Sequence, residues 1–100
     1  MSGIRFEWDR RKAESNVRKH GVTFEDAQTA FLDEHGLLIA DPDRSNDEER
    51  FILLGELAPA RLRVVCHCYR TSADVMRLIW ARRATRKEKA VYREGAPHES

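Results

Sequence analysis

Between residues 50 and 82 three apolar runs are separated by turns of only four residues, and this spacing constrains the fold more than any other feature of the chain. A parallel crossover needs about a dozen residues or more, so runs joined this tightly fold back as antiparallel hairpins. The runs are 50–57, 62–70 and 75–82. In the middle one Leu62, Val64, Cys66 and Cys68 face one way and Val65, His67 and Tyr69 the other, the two-residue period of a strand. A shorter apolar run at 37–41 and a weak alternation at 4–8 complete the strand candidates.

The remaining segments follow a helical period. Asp9 is a good N-cap for 10–20, where Ala13 and Val17 share a face, and Gly21 supplies the left-handed residue that ends a helix. Thr23 opens a second helix, expected to run to about Asp33, with Phe24, Ala27 and Phe31 as its apolar stripe. Thr85 and Glu88 form a capping box that starts a last helix, with Val91 and Tyr92 on its packing side. The expected class is α+β: two N-terminal helices and one C-terminal helix packed on a four- to five-stranded antiparallel sheet. One domain is expected over 1–94, with a disordered tail at 95–100.

The net charge of +1 hides an asymmetry, because residues 1–50 carry 8 Lys/Arg against 12 Asp/Glu and residues 51–100 carry 10 against 5. A basic C-terminal half points to an anionic partner such as nucleic acid, although two solvated faces of opposite sign would read the same way. No run approaches the ~18 apolar residues of a membrane span. The charged start carries no signal-peptide pattern, so a cytoplasmic chain that makes no use of a membrane is expected. Cys66 and Cys68, neighbours on one strand face, are poorly placed for a mutual disulfide and are expected as reduced core thiols.

Two constellations could carry chemistry. The first is basic: Arg63, Arg70, Arg77 and Arg82 on adjacent strands, joined by Arg86 and Lys87 at a helix start. Helix N-termini offer free N–H groups, and guanidinium groups grip phosphate bidentately. The competing reading pairs these cations with Glu56, Asp74 and Glu88 at the sheet edge. The second is Lys12, Asn16 and His20, spaced i, i+4, i+8 along one side of the first helix, with Lys19 beside them. An imidazole there could exchange a proton with a ribose hydroxyl, or simply answer the helix dipole. Alternation separates His67 from the two cysteines, so this trio cannot converge on one metal ion. The acidic segment 41–52 lacks the glycine and the final glutamate of a calcium loop. Neither a metal nor a cofactor is expected.

Taken in order, several segments resemble the BrnT family of type II toxin–antitoxin toxins, relatives of the RelE-like ribonucleases. They are Phe6-Glu7-Trp8-Asp9, Lys12-Ala13, Asn16, Lys19-His20-Gly21-Val22, Phe24, Ala27, Phe31 and Asp33, then Glu49-Arg50-Phe51 with Gly55, and finally 77–85 with Glu88 and Tyr92. One departure is Arg44, where many members carry a histidine. The resemblance implies a RelE-like fold and a metal-independent endoribonuclease that inhibits translation. It also implies a cognate antitoxin, expected to carry a ribbon-helix-helix DNA-binding domain through which the complex binds operator DNA. Carried onto this chain, it implies Arg50, Arg77 and Arg82 on the phosphate and His20 and Glu49 in proton transfer. Lys12, Lys19, Arg63, Tyr69, Arg70, Arg86 and Lys87 would then hold RNA. The alternative is a non-catalytic nucleic-acid- or antitoxin-binding module descended from such a toxin.

Overall fold

The computed structural model describes residues 5–41, 50–56, 58, 61–70 and 74–95, and for Arg70 the backbone only. The elements in chain order are β1 (Arg5–Glu7), α1 (Arg10–His20), α2 (Phe24–Gln28), a 3-10 turn (Thr29–Leu32), β2 (Leu37–Ala40), β3 (Phe51–Glu56), β4 (Leu62–Arg70), β5 (Val75–Arg83) and α3 (Arg86–Gly95). Most of the tail expected at 95–100 lies outside the described residues.

Local chemistry explains the helix limits. The Asp9 carboxylate accepts the Arg11 N–H at 3.0 Å, and Gly21 closes α1 at φ 70°, donating its own N–H to the Val17 carbonyl. Thr23 caps α2 through the Asp26 N–H. The second helix stops short of the expected Asp33: the Thr29 hydroxyl takes the Asp26 carbonyl at 2.6 Å, competing with the α-helical ladder, and the chain tightens into the 3-10 turn. Thr85 and Glu88 bond reciprocally across the start of α3, Thr85 N–H to carboxylate and Glu88 N–H to hydroxyl.

The five strands form one sheet in the order β1-β5-β4-β3-β2. The hairpins β2–β3, β3–β4 and β4–β5 are antiparallel, but β1 runs parallel to β5, pairing Arg5 with Val75 and Glu7 with Arg77. The sheet is therefore mixed, and the expectation of an all-antiparallel sheet is corrected. The reason is topological: α1 and α2 follow β1, so the first strand is joined to the meander by a long connection that leaves either direction open.

Both faces are covered. On one, Val22, Phe24, Ala27 and Ala30 from the α2 region pack on Leu53, Val65, Leu78 and Ala81. Trp8 sits edge-on to Phe24 at 5.6 Å and ties the start of α1 to this core. β3 passes so close beneath the 3-10 turn that a Cβ on Gly55 would lie 2.6 Å from the Ala30 carbonyl oxygen, so only glycine fits there. On the other face Tyr92 of α3 covers Leu54, Leu62 and Val64, with Ile52, Trp80 and Ala84 around it. His67, buried between Phe31 and Phe51, belongs to the first face.

β1 covers only the first three residues of β5, leaving the outer edge of the rest without a strand. α1 fills that gap. Asn16 is 4% exposed, donates to the Ala81 carbonyl at 2.7 Å and accepts the Ala81 N–H at 3.0 Å, as a neighbouring strand would. Its second amide hydrogen goes to the Val22 carbonyl at 2.9 Å. A register shift opposite Cys66 and His67 places Ile79 outside the regular pairing.

Candidate functional site

Where α1 lies along the open half of β5, a cleft of about 500 Å³ forms. Lys12, Ser15, Asn16, Lys19 and His20 of α1 line one wall, Ile79, Trp80 and Arg82 of β5 the other, and Arg50 reaches in from the start of β3. Among the described residues the lining contains no carboxylate. Among the described residues Lys12, Lys19, His20 and Arg50 make no ion pair there, and the buried Arg50 Nε has no hydrogen-bond partner. A buried donor left open in this way costs free energy unless something occupies it.

Arg82 is held differently. Its Nη1 and Nη2 donate to the two Glu88 carboxylate oxygens, both at 2.8 Å, and the guanidinium carbon lies 5.6 Å from the centre of the Trp80 ring. Those hydrogen bonds from Arg82, opposed by partial burial and helped by the Thr85 N–H, bring the Glu88 carboxyl down to about 2, so the pair is ionised at any physiological pH. The cation itself is held further from deprotonation by the same carboxylate.

The Cys66 thiol feels the charge of Arg50 and donates to an Asp41 carboxylate oxygen at 3.7 Å. Burial first, and then the negative charge of Asp41, push this thiol up to about 12. Both cysteines are free and buried. Among the described residues no group of three or more His, Cys, Asp or Glu side chains is arranged to hold a metal ion.

The cleft thus gathers Lys12, Lys19, His20, Arg50 and Arg82, and the structure places Arg63, Tyr69, Arg77, Arg86 and Lys87 elsewhere. Arg77, grouped in sequence with Arg82, donates to Glu7 at 2.7 Å near β1 and does not line the cleft. Arg63 lies on the opposite sheet face, its Nε 2.8 Å from Asp26, which also meets Arg61 at 3.2 Å. Burial would raise the Asp26 carboxyl, but the Arg63 and Arg61 hydrogen bonds outweigh it and hold it low. Tyr69 donates its hydroxyl to Asp74 at 2.8 Å. Arg86 and Lys87 are exposed at the start of α3 and do not reach the cleft. The N-terminus of α3, expected to seat a phosphate, is occupied by the chain's own Glu88 carboxylate. Glu49 and Arg44 lie outside the described residues, as does the Arg70 side chain.

Comparison with known proteins adds to this geometry. A family model described as the ribonuclease toxin BrnT of a type II toxin–antitoxin system matches residues 8–88. This chain belongs to the BrnT toxin family. A 1.1 Å crystal structure of the Brucella abortus ribonuclease toxin BrnT shares the fold, with TM-score 0.62 and 23% identity over 83% of this chain and 99% of that one. No curated protein sequence matches. As a BrnT toxin the chain is an RNA-cleaving enzyme, and a type II system pairs it with an antitoxin. No helix among the described residues is long and apolar enough to cross a membrane.

Many positions that carry the BrnT resemblance act as scaffold. Asn16 replaces a strand, Gly55 admits the 3-10 turn, and Asp33 accepts the Tyr92 hydroxyl at 2.6 Å along with the Glu56 and His35 N–H groups. Burial would raise the Asp33 carboxyl, and these three donors more than offset it. Three cleft residues escape a reading by sequence alone. Ser15 is one helical residue among many, and Ile79 and Trp80 carry the signature of core residues, yet all three line the cleft. A Trp between Arg77 and Arg82 on one strand was the available signal for Trp80.

Proposed function

We propose that this cleft is where the RNA phosphodiester binds and is cut, within a single toxin domain spanning residues 1–94. The observation that carries the reading is the convergence of Lys12, Lys19, His20 and Arg50, with no ion pair among the described residues, on a concavity whose lining lacks carboxylates. Such a site attracts a polyanion and stabilises added negative charge. Arg50 and Arg82 grip the non-bridging phosphate oxygens, and Lys12 and Lys19 hold the flanking backbone.

The chemistry such a site can perform is attack by the ribose 2′-oxygen on the adjacent phosphorus. The bond from phosphorus to the 5′-oxygen breaks, leaving a 2′,3′-cyclic phosphate and a 5′-hydroxyl. The proton lost by the 2′-hydroxyl and the proton gained by the leaving oxygen balance, and the imidazole of His20 is the cleft group that can accept one or donate the other. The cations stabilise the doubly charged phosphorane, so this route requires no metal ion.

The antitoxin of this system carries the ribbon-helix-helix DNA-binding domain in this reading. The complex binds its operator, and the free toxin inhibits translation in the cytoplasm. Purified toxin incubated with an RNA transcript and a chelator tests the site: cleavage that persists with chelator and is lost in Arg50→Ala supports it. Full activity in Arg50→Ala and in His20→Ala overturns it.

A further inference from the structure

Glu88 lies outside the cleft lining, yet it decides how one cleft residue presents itself. A guanidinium has five N–H donors in a fixed plane. In Arg82 the end formed by Nη1 and Nη2 is taken by the two Glu88 oxygens, and Nη1 also donates to the Arg83 carbonyl at 3.3 Å. The Nε–H and the second Nη2 hydrogen have no partner among the described residues. These two lie side by side along one edge of the plane and match the spacing of two phosphate oxygens.

Glu88 is itself anchored. Its Oε1 accepts the Thr85 backbone N–H at 2.8 Å, so the carboxylate cannot follow Arg82 if the arginine turns. Trp80 supports the guanidinium from the side. We infer that Glu88 is a positioning residue for the RNA-cleaving reaction, clamping the end of the Arg82 guanidinium so that its Nε/Nη2 edge stands free as a two-pronged phosphate seat. The inference rests on the reading of the cleft as the RNA site. It runs against the simpler view that a carboxylate paired with a cleft cation competes with phosphate.

The test compares full-length Glu88→Gln, Thr85→Ala, Arg82→Ala and the Glu88→Gln/Arg82→Ala double variant on one RNA transcript, with kcat, KM and Tm measured for each. The amide of Glu88→Gln can still accept the Thr85 N–H, but its NH2 group faces an Arg82 donor and breaks the two-point clamp. The expected result is a loss of about 10-fold or more in kcat for Glu88→Gln with KM little changed. Thr85→Ala lowers Tm but leaves kcat within about 2-fold, and the double variant is no worse than Arg82→Ala alone. If Arg82→Ala is inactive while Glu88→Gln matches or exceeds the parent, or if Thr85→Ala loses kcat as much as Glu88→Gln, the positioning role is wrong and the cleft reading stands. If Arg82→Ala cleaves at the parent rate, the place of Arg82 in the cleft reading fails and the positioning role fails with it.

Discussion

The side-chain amide of Asn16 pairs with both backbone groups of Ala81, 2.7 Å to the carbonyl and 3.0 Å from the N–H, and so does the work of a missing strand residue. The contact joins the two walls of the cleft. It also leaves neither Ala81 group unsatisfied at a buried position where water cannot substitute.

Replacing Asn16 with Ala therefore strips partners from three buried backbone groups, those of Ala81 and the Val22 carbonyl. The expected cost is about 3 kcal/mol or more, since each buried group left unpaired costs about 1–3 kcal/mol. Urea denaturation of the two proteins measures it. Asn16→Asp should be at least as damaging, because a carboxylate cannot donate to either carbonyl.

Two arginines that look alike in sequence should behave differently. Arg50→Ala is expected to lower cleavage by about 100-fold with little change in fold, as for loss of a charge-stabilising group in an active site. Arg77→Ala should leave cleavage unchanged. Its pair with Glu7 is more than a third exposed, so its stability cost should stay within about 1 kcal/mol. Rates on one transcript, with circular dichroism for the fold, separate the cases.

Stability should fall on mild acidification through His67. Burial, only partly offset by the bond from its ring N–H to the Val65 carbonyl, lowers its pKa below the ordinary 6.5. The unfolded chain then binds a proton that the folded chain refuses, so the contribution is fully present above pH 6.5 and is lost as pH falls toward the folded value. Urea midpoints between pH 7.5 and 5 should decline, and His67→Leu should flatten the decline.

The two thiols should resist alkylation in the folded protein. Cys66 is buried and, with its pKa near 12, almost wholly protonated at pH 8, and Cys68 is also buried. Iodoacetamide is expected to modify neither until denaturant is added, as mass spectrometry would show.

Tyr92→Phe removes the hydroxyl that Asp33 accepts at 2.6 Å and should cost about 1–2 kcal/mol, a charged acceptor making this bond stronger than a neutral one. For a domain of this size that corresponds to a Tm lower by about 4–16 °C.

How much of this was legible in the residues depended on whether the deciding interaction was local. Asp9 and Gly21 bracket α1 at the expected residues because capping acts within one turn, and Leu62–Arg70 appears as a single strand because alternation needs no distant partner. The direction of β1 was not readable, since it is set by a strand some seventy residues later. The helical stripe of Lys12, Asn16 and His20 did identify one wall of the cleft. The strand arginines could not be sorted from sequence. Arg63, Arg77 and Arg82 differ only in which carboxylate tertiary structure brings to them, and those of Asp26 and Glu7 lie 37 and 70 positions away.

The pairing of α1 with the far half of β5 bears on when, during synthesis, the cleft can exist at all. The two walls come from segments 65 positions apart, and Asn16 has nothing to grip until Ala81 exists. A chain that stops short of Ala81 carries those lysines and that histidine on a helix with nowhere to dock, and the cleft does not form.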